Sequence, residues 1–350
     1  MEIRQLTFTR FLAALTIIVF HYGQDSFPFN NGLLQQFAKE GAFAVSYFFC
    51  LSGYILSHVY YKMENRLIDK KSFYLKRFAR IYPLYLFGFV IALVSGFILF
   101  HSVPKGNSII LQLFGLHAWV PGICLEINFP AWSLSVEFFF YLCFPFLLNM
   151  FELSSTKKII FFTLSIWIIS AISHILLKSV DFPESRSWQE FILYNPLFHI
   201  NVFIFGMAAS IIKIRTKLCI TNFTSNAVVL MSGLLLFLLM ATGNFILPWV
   251  HNGLLAPLFV LIIISLQMNQ KGITTLFILK PLVFLGNISY AMYILQHPVR
   301  EWFEQMLKYT SFSPPKPIIF YIYLITLILI SSLAFLYIEK PLRKRITQNL

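Results

Sequence analysis

The chain has 350 residues, of which 58% are hydrophobic, 18% aromatic and only 12% charged, against roughly 25% charged in a water-facing domain. A soluble enzyme could not cover its surface with so little charge, and the mean hydropathy of +0.75 says the same. The net charge of +13 would suit nucleic acid, but the basic residues fall in short clusters between apolar runs, without a basic face or an aromatic platform, as in a polytopic membrane protein.

A helix needs about 20 residues to cross the ~30 Å hydrocarbon layer. On that ruler ten spans are expected, at 6–23, 41–61, 80–101, 131–150, 159–178, 190–212, 225–242, 250–268, 282–304 and 317–338. Arg4 and Arg10 precede the apolar stretch Phe11–Phe20, but the chain continues into His21-Tyr22-Gly23-Gln24-Asp25 with no small-x-small cleavage site, so the first span reads as retained and not as a signal peptide. The run 108–120 is too short to cross and ends at Pro121-Gly122, which suits an interfacial or re-entrant segment. Cys50, Cys124, Cys143 and Cys219 have no C-x-x-C spacing and read as small core residues. No internal repeat or low-complexity linker is visible, and residues 1–350 are expected to form one integral membrane domain with no appended soluble domain. The predicted fold class is all-α, a polytopic transmembrane helical bundle.

Charge supplies an independent test of that count. With the N-terminus inside, 20 of the 27 Lys and Arg residues fall on inner segments or at the inner end of the first span, and 7 fall outside. The positive-inside rule therefore favours ten spans with both termini cytoplasmic.

Ionisable residues within spans cost a few kcal/mol or more unless paired or hydrated, and so mark function. Arg10 and His21 are eleven positions apart; at 100° per residue they share one helix face, about 16 Å apart along the axis. Glu137, followed by Phe138-Phe139-Phe140-Tyr141, needs a partner from another span or a water-filled cavity. His21, Glu137 and His297 are expected at one level near the outer side, the pattern of an acid–base site; a structural polar network between helices is the plainer alternative. Arg77 and Arg80, at i and i+3 on the cytoplasmic side, suit phosphate oxygens, although taken alone a positive-inside anchor or lipid-headgroup contact is the better explanation. Ser52-Gly53 in the second span suits close helix packing.

Six motifs in order carry a family resemblance: Arg10-x10-His21, FFCLSGYILS at 48–57, RFARIYPLY at 77–85, WSLSVEFFFY at 132–141, GNISYAMYILQHP at 286–298 and IEKP at 338–341. Together they resemble the membrane acyltransferase-3 family across nearly the whole chain; Cys50 and Tyr54 depart conservatively from the commonest second-span pattern. The resemblance implies O-acylation, usually acetylation, of an extracytoplasmic or lipid-linked glycan by cytoplasmic acyl-CoA, in a bacterial inner membrane. It implies that Arg10, Arg77 and Arg80 hold the phosphates of acetyl-CoA or orient its thioester, that His21 is the catalytic base, and that Glu137 supports it. His297 matches the histidine of the family's late SY-x-x-Y-x-x-x-H pattern. Lipopolysaccharide O-antigen is the first expected acceptor, then exopolysaccharide or another surface glycan, and no metal is expected. Direct transfer and an acyl-enzyme both stay open, with direct transfer favoured because no activated Ser or Cys is evident. A proton-coupled transporter or flippase of a glycan or lipid-linked sugar is the competing reading.

Overall fold

In lipid every backbone N–H and C=O must be satisfied within the span, which leaves helices as the solution for a chain this apolar. A computed structural model describes residues 3–61, 68–179, 186–242, 252–269, 271–310 and 314–348, and among them there are helices and turns but no strand. The helices are α1 (Arg4–Ile18), α2 (Gly32–Lys39), α3 (Phe43–Tyr60), α4 (Lys70–Phe100), α5 (Gly106–Leu113), α6 (Trp132–Glu152), α7 (Thr156–Ser179) and α8 (Arg186–Tyr194). They continue with α9 (Ile200–Thr216), α10 (Asn222–Ala241), α11 (Ala256–Met268), α12 (Ile273–Phe277), α13 (Lys280–Tyr309), α14 (Lys316–Ala334) and α15 (Lys340–Thr347). Two π-helical turns interrupt this order: Val19–Gly23 prolongs α1, and Phe335–Glu339 joins α14 to α15.

Eight helices among the described residues are long and apolar enough to cross a membrane. The two remaining expected spans are of other kinds. α11 has 13 residues, about 20 Å of helix, short of the ~30 Å layer; residues 250 and 251 of the expected span lie outside the described residues. α13 has 30 residues, ample length, but carries Arg300, Glu301, Glu304 and Lys308 in its last turns. The expected span 190–212 is also divided: α8 ends at Tyr194, Asn195-Pro196 breaks the helix, and α9 starts at Ile200. A proline disfavours helical geometry in the residue before it, which is why the run does not continue.

α4 begins ten residues before the expected edge. The Asp69 side chain caps it, accepting from the backbone N–H of Lys71 (3.1 Å) and Ser72 (3.3 Å), so the basic cluster around Arg77 is helical and not loop. The segment expected at the interface is α5, followed by a turn at Gly115 and a short 3₁₀ turn, His117–Trp119. Of the cysteines, Cys50 and Cys124 are buried as expected; Cys143 is only half-buried and Cys219 is exposed.

α1, α3, α9 and α13 form the centre. Of the most apolar stretch of each span, 61% is buried in α1 and 67% in α3, against 17% in α7 and in α10. The peripheral pair presents Phe161, Phe223 and Met231 outward, the face that lipid covers. Small residues set the central crossings, as expected where lipid supplies no hydrophobic drive between helices. A Cβ on Gly53 would stand 2.1 Å from the Phe203 carbonyl oxygen, and one on Gly206 2.0 Å from that of Cys50. A Cβ on Gly286 would meet the Thr7 carbonyl at 2.0 Å. α3 thus touches α9, and α1 touches α13, backbone to backbone.

Candidate active site

Those crossings leave a cavity of about 710 Å³ between α1, α3, α4, α6, α13 and the chain from Phe335 to Arg343. Its size falls within the usual range for small-molecule sites. Arg10, Arg77 and Arg80 all line it, as does Glu137. Two further cations contribute, Lys340 and Arg343 of α15. The sequence had suggested the three arginines, and the structure brings them together.

The charges are arranged with some economy. Arg80 Nη1 donates to Glu339 Oε1 at 2.6 Å, and the Glu339 side chain is 0% exposed. Arg77 instead lies 6.0 Å from the ring centres of Tyr60 and Phe73, and its Nε is buried without a hydrogen-bond partner. Arg10 is within electrostatic reach of Arg80, Glu339, Glu137 and Tyr141. Glu137 accepts from Ser52 Oγ at 3.2 Å and from the Tyr141 hydroxyl one turn along its own helix. Ser52 therefore does more than permit packing; it is a donor to the cavity's carboxylate, while its neighbour Gly53 makes the close contact. Tyr290 and Tyr293 form the α13 wall, donating to the Ile81 carbonyl (2.8 Å) and the Pro130 carbonyl (3.0 Å).

His21 and His297 are not in this cavity. The His21 ring meets Phe129 edge-on at 4.8 Å, and Phe129 meets His297 at 4.8 Å, so both imidazoles pack against one phenylalanine. His21 is exposed. The expected single level of His21, Glu137 and His297 is corrected here into two sites. The link between Ser133 Oγ and Tyr293 Oη, 2.8 Å, fixes α6 against α13. Four residues from Tyr293 toward the C-terminus of α13 lies His297, and four residues from Ser133 toward the C-terminus of α6 lies Glu137; with the two helices antiparallel and 1.5 Å per residue, the two are about 12 Å apart along the bundle. The π turn Val19–Gly23 also breaks the 3.6-residue count on which a shared face for Arg10 and His21 rests. The carboxylate that meets one of the two histidines is Glu301, with Oε1 at 3.2 Å from His297 Nε2.

Sequence reasoning gave Ser52 a packing role only and assigned no site role to Glu301, Glu339, Lys340 or Arg343. Glu339 and Lys340 lie in the IEKP motif and so were signalled, though without a partner; nothing local marked Glu301.

Residues 3–337 match the model of the acyltransferase-3 family, an acyltransferase domain. The chain belongs to this family. Among relatives of this acyltransferase-3 chain, the acyltransferase MdmB of Streptomyces mycarofaciens is 38% identical over 152 residues, 40% of this chain and 38% of the relative. A Staphylococcus aureus protein whose name proposes O-acetyltransferase activity is 24% identical across 96% of this chain and 56% of its own length. The peptidoglycan O-acetyltransferase OatA of Listeria monocytogenes is 24% identical over 96% of this chain and 55% of its own. The acyltransferase-3 chain thus spans little more than half the length of the relatives it matches end to end. No solved structure matches it.

Proposed function

We propose that this multi-pass membrane protein transfers an acyl group, acetyl first among candidates, from cytoplasmic acyl-CoA to a hydroxyl of a glycan on the outer side. The observation that carries the reading is the cavity in which Arg10, Arg77, Arg80, Lys340 and Arg343 converge around one wall carboxylate, Glu137. Guanidinium and ammonium groups grouped in this way suit several phosphates on one ligand, and CoA carries a diphosphate and a phosphomonoester. Tyr293 stands at the cavity's outer limit, about 6 Å along α13 from His297. A thin pantetheine arm suits that last turn better than a bulky sugar does.

On the outer side His21 is exposed and acts as general base. The acceptor oxygen attacks the thioester carbon as its proton passes to the imidazole, and the imidazole returns a proton to the departing CoA thiolate. Base help of this kind is typically worth about 10²–10⁴-fold. No activated serine or cysteine faces the histidines among the described residues, which favours direct transfer. Glu137, on the donor side, serves the cation cluster and the thioester end of the donor. The acceptor belongs to the surface polysaccharides: peptidoglycan is what OatA is named for, and lipopolysaccharide O-antigen and exopolysaccharide offer the same secondary or primary hydroxyls.

The test is transfer of label from radioactive acetyl-CoA by purified protein in proteoliposomes, presented with each glycan in turn. Expected is an alkali-labile ester on one glycan that disappears in His21→Ala while the protein stays inserted and folded. Absence of acetyl-CoA binding and of label on every glycan would overturn the reading in favour of a transporter.

A further inference from the structure

The outer histidines differ in their surroundings. Neither nitrogen of His21 has a hydrogen-bond partner among the described residues, and its contacts are the rings of Phe20, Tyr22 and Phe129. His297 has a carboxylate, Glu301, one turn further along α13, at 3.2 Å from Nε2, with the His297 and Glu301 side chains 27% and 17% exposed. Ser95 of α4 flanks Glu301 from the facing wall. The neighbouring cation does not compete for this carboxylate. Arg300 Nε bonds Glu304 at 2.6 Å, and its guanidinium lies between the rings of Tyr22 (5.6 Å) and Tyr323 (5.2 Å). Around His297 the structure therefore sets Phe129 and His21 on one side, Glu301 below the ring, and Glu304 already engaged.

In its ionised form the Glu301 carboxylate can only accept, so the His297 nitrogen facing it then carries the hydrogen and the other keeps its lone pair. We propose that Glu301 is a positioning residue for acyl transfer, holding His297 as the Nε2–H tautomer and leaving Nδ1 as the nitrogen available to the acceptor. The inference rests on the acyltransferase reading above. It assigns the orienting carboxylate of the outer site to Glu301 and leaves Glu137 to the donor cavity. A free imidazole samples both tautomers and rotates; one pinned by a carboxylate presents a single nitrogen, and what is gained is orientation.

Two measurements test this. In the proteoliposome assay Glu301→Leu is expected to lower turnover by about tenfold or more, a fraction of what general-base help is worth, with the KM for acetyl-CoA within about twofold of wild type because only the outer site changes. Glu301→Gln, whose amide oxygen still accepts, is expected to recover part of the rate. In a His297→Ala background Glu301→Leu is expected to cost nothing further, the signature of one residue acting through the other. Unchanged turnover in Glu301→Leu, or an equal loss with and without His297, would refute the assignment. Independently of activity, imidazole ¹⁵N shifts assigned by comparison with His297→Ala are expected to show the Nε2–H tautomer, lost in Glu301→Leu. The opposite tautomer in wild type, or no change on substitution, would also refute it. A wild-type protein that transfers nothing would count against the proposed function, and the ¹⁵N result would then decide Glu301 alone.

Discussion

Glu339 has a side chain 0% exposed, and the hydrogen bond from Arg80 is what keeps its charge tolerable. Breaking such a pair from one side is costlier than the pair is worth, because the surviving charge stays buried. Arg80→Ala is therefore expected to destabilise the protein by about 3 kcal/mol, the low end of the usual range since Arg10 also reaches Glu339. Arg77→Ala leaves no buried carboxylate behind; it is expected to weaken acetyl-CoA binding with a much smaller loss of stability. Melting temperatures in detergent, read beside donor affinity for both variants, check the division of labour. Equal melting temperatures for the two would show that Arg80 has no structural duty of its own. The pairing also explains why two arginines at i and i+3 are not equivalent: one belongs partly to the fold, and the other lines the cavity without a carboxylate partner among the described residues, its Nε buried and unbonded.

At the scale of elements the cavity depends on how closely four helices approach. Gly206 has no room for a methyl group, since a Cβ would stand 2.0 Å from the Cys50 carbonyl oxygen, whereas a Cβ on Gly233 of α10 would meet nothing within 4 Å. Gly206→Ala is expected to push α9 from α3, lower the melting temperature and disturb the Ser52–Glu137 hydrogen bond two residues from the contact, costing activity as well. Gly233→Ala is expected to be neutral or stabilising by up to about 1 kcal/mol, from the entropy a helical glycine loses. Both variants in one thermal-shift and activity series suffice; a harmless Gly206→Ala would mean that the crossing is looser than its backbone contacts. Much of this level was legible in the sequence. Length and hydropathy located most of the spans, and Ser52-Gly53 already read as a packing site. What could not be read were the departures from regular helix. His21 and Glu339 each sit on a π turn, which hydropathy does not register and which rotates every later side chain relative to a 3.6-residue count. The depth of Glu137 failed for a plainer reason: α6 begins within a residue of its expected edge, but Glu137 lies five residues in from Trp132, about 8 Å along the helix, which a reading at the scale of whole spans does not resolve. Glu301 was invisible for a third reason, since its partner lies one turn away on a stretch that composition reads only as polar.

For the whole molecule the decisive property is sidedness. The cation-lined cavity includes Ile3, Lys340 and Arg343 among its lining, so it reaches the end of the bundle where α1 starts and α15 lies, and His21 and His297 lie toward the other end. The acyltransferase reading needs that mouth in the cytosol, where CoA thioesters are made, and only the excess of basic residues on the inner segments speaks to this. Cys219 offers a direct probe. It is free and exposed, in the turn between α9 and α10 beside Lys217, on the side assigned to the cytoplasm. Cys50 and Cys124 are buried, and Cys143 lies within α6, out of reach of a polar reagent. A membrane-impermeant maleimide is expected to label the protein in inverted vesicles and not in intact cells, with the signal lost in Cys219→Ser. Labelling from outside would turn the bundle over. The cation-lined cavity would then face away from the CoA pool, and His21 and His297 would face the cytosol. That one result would remove the basis for a cytoplasmic donor while leaving the fold and the family intact.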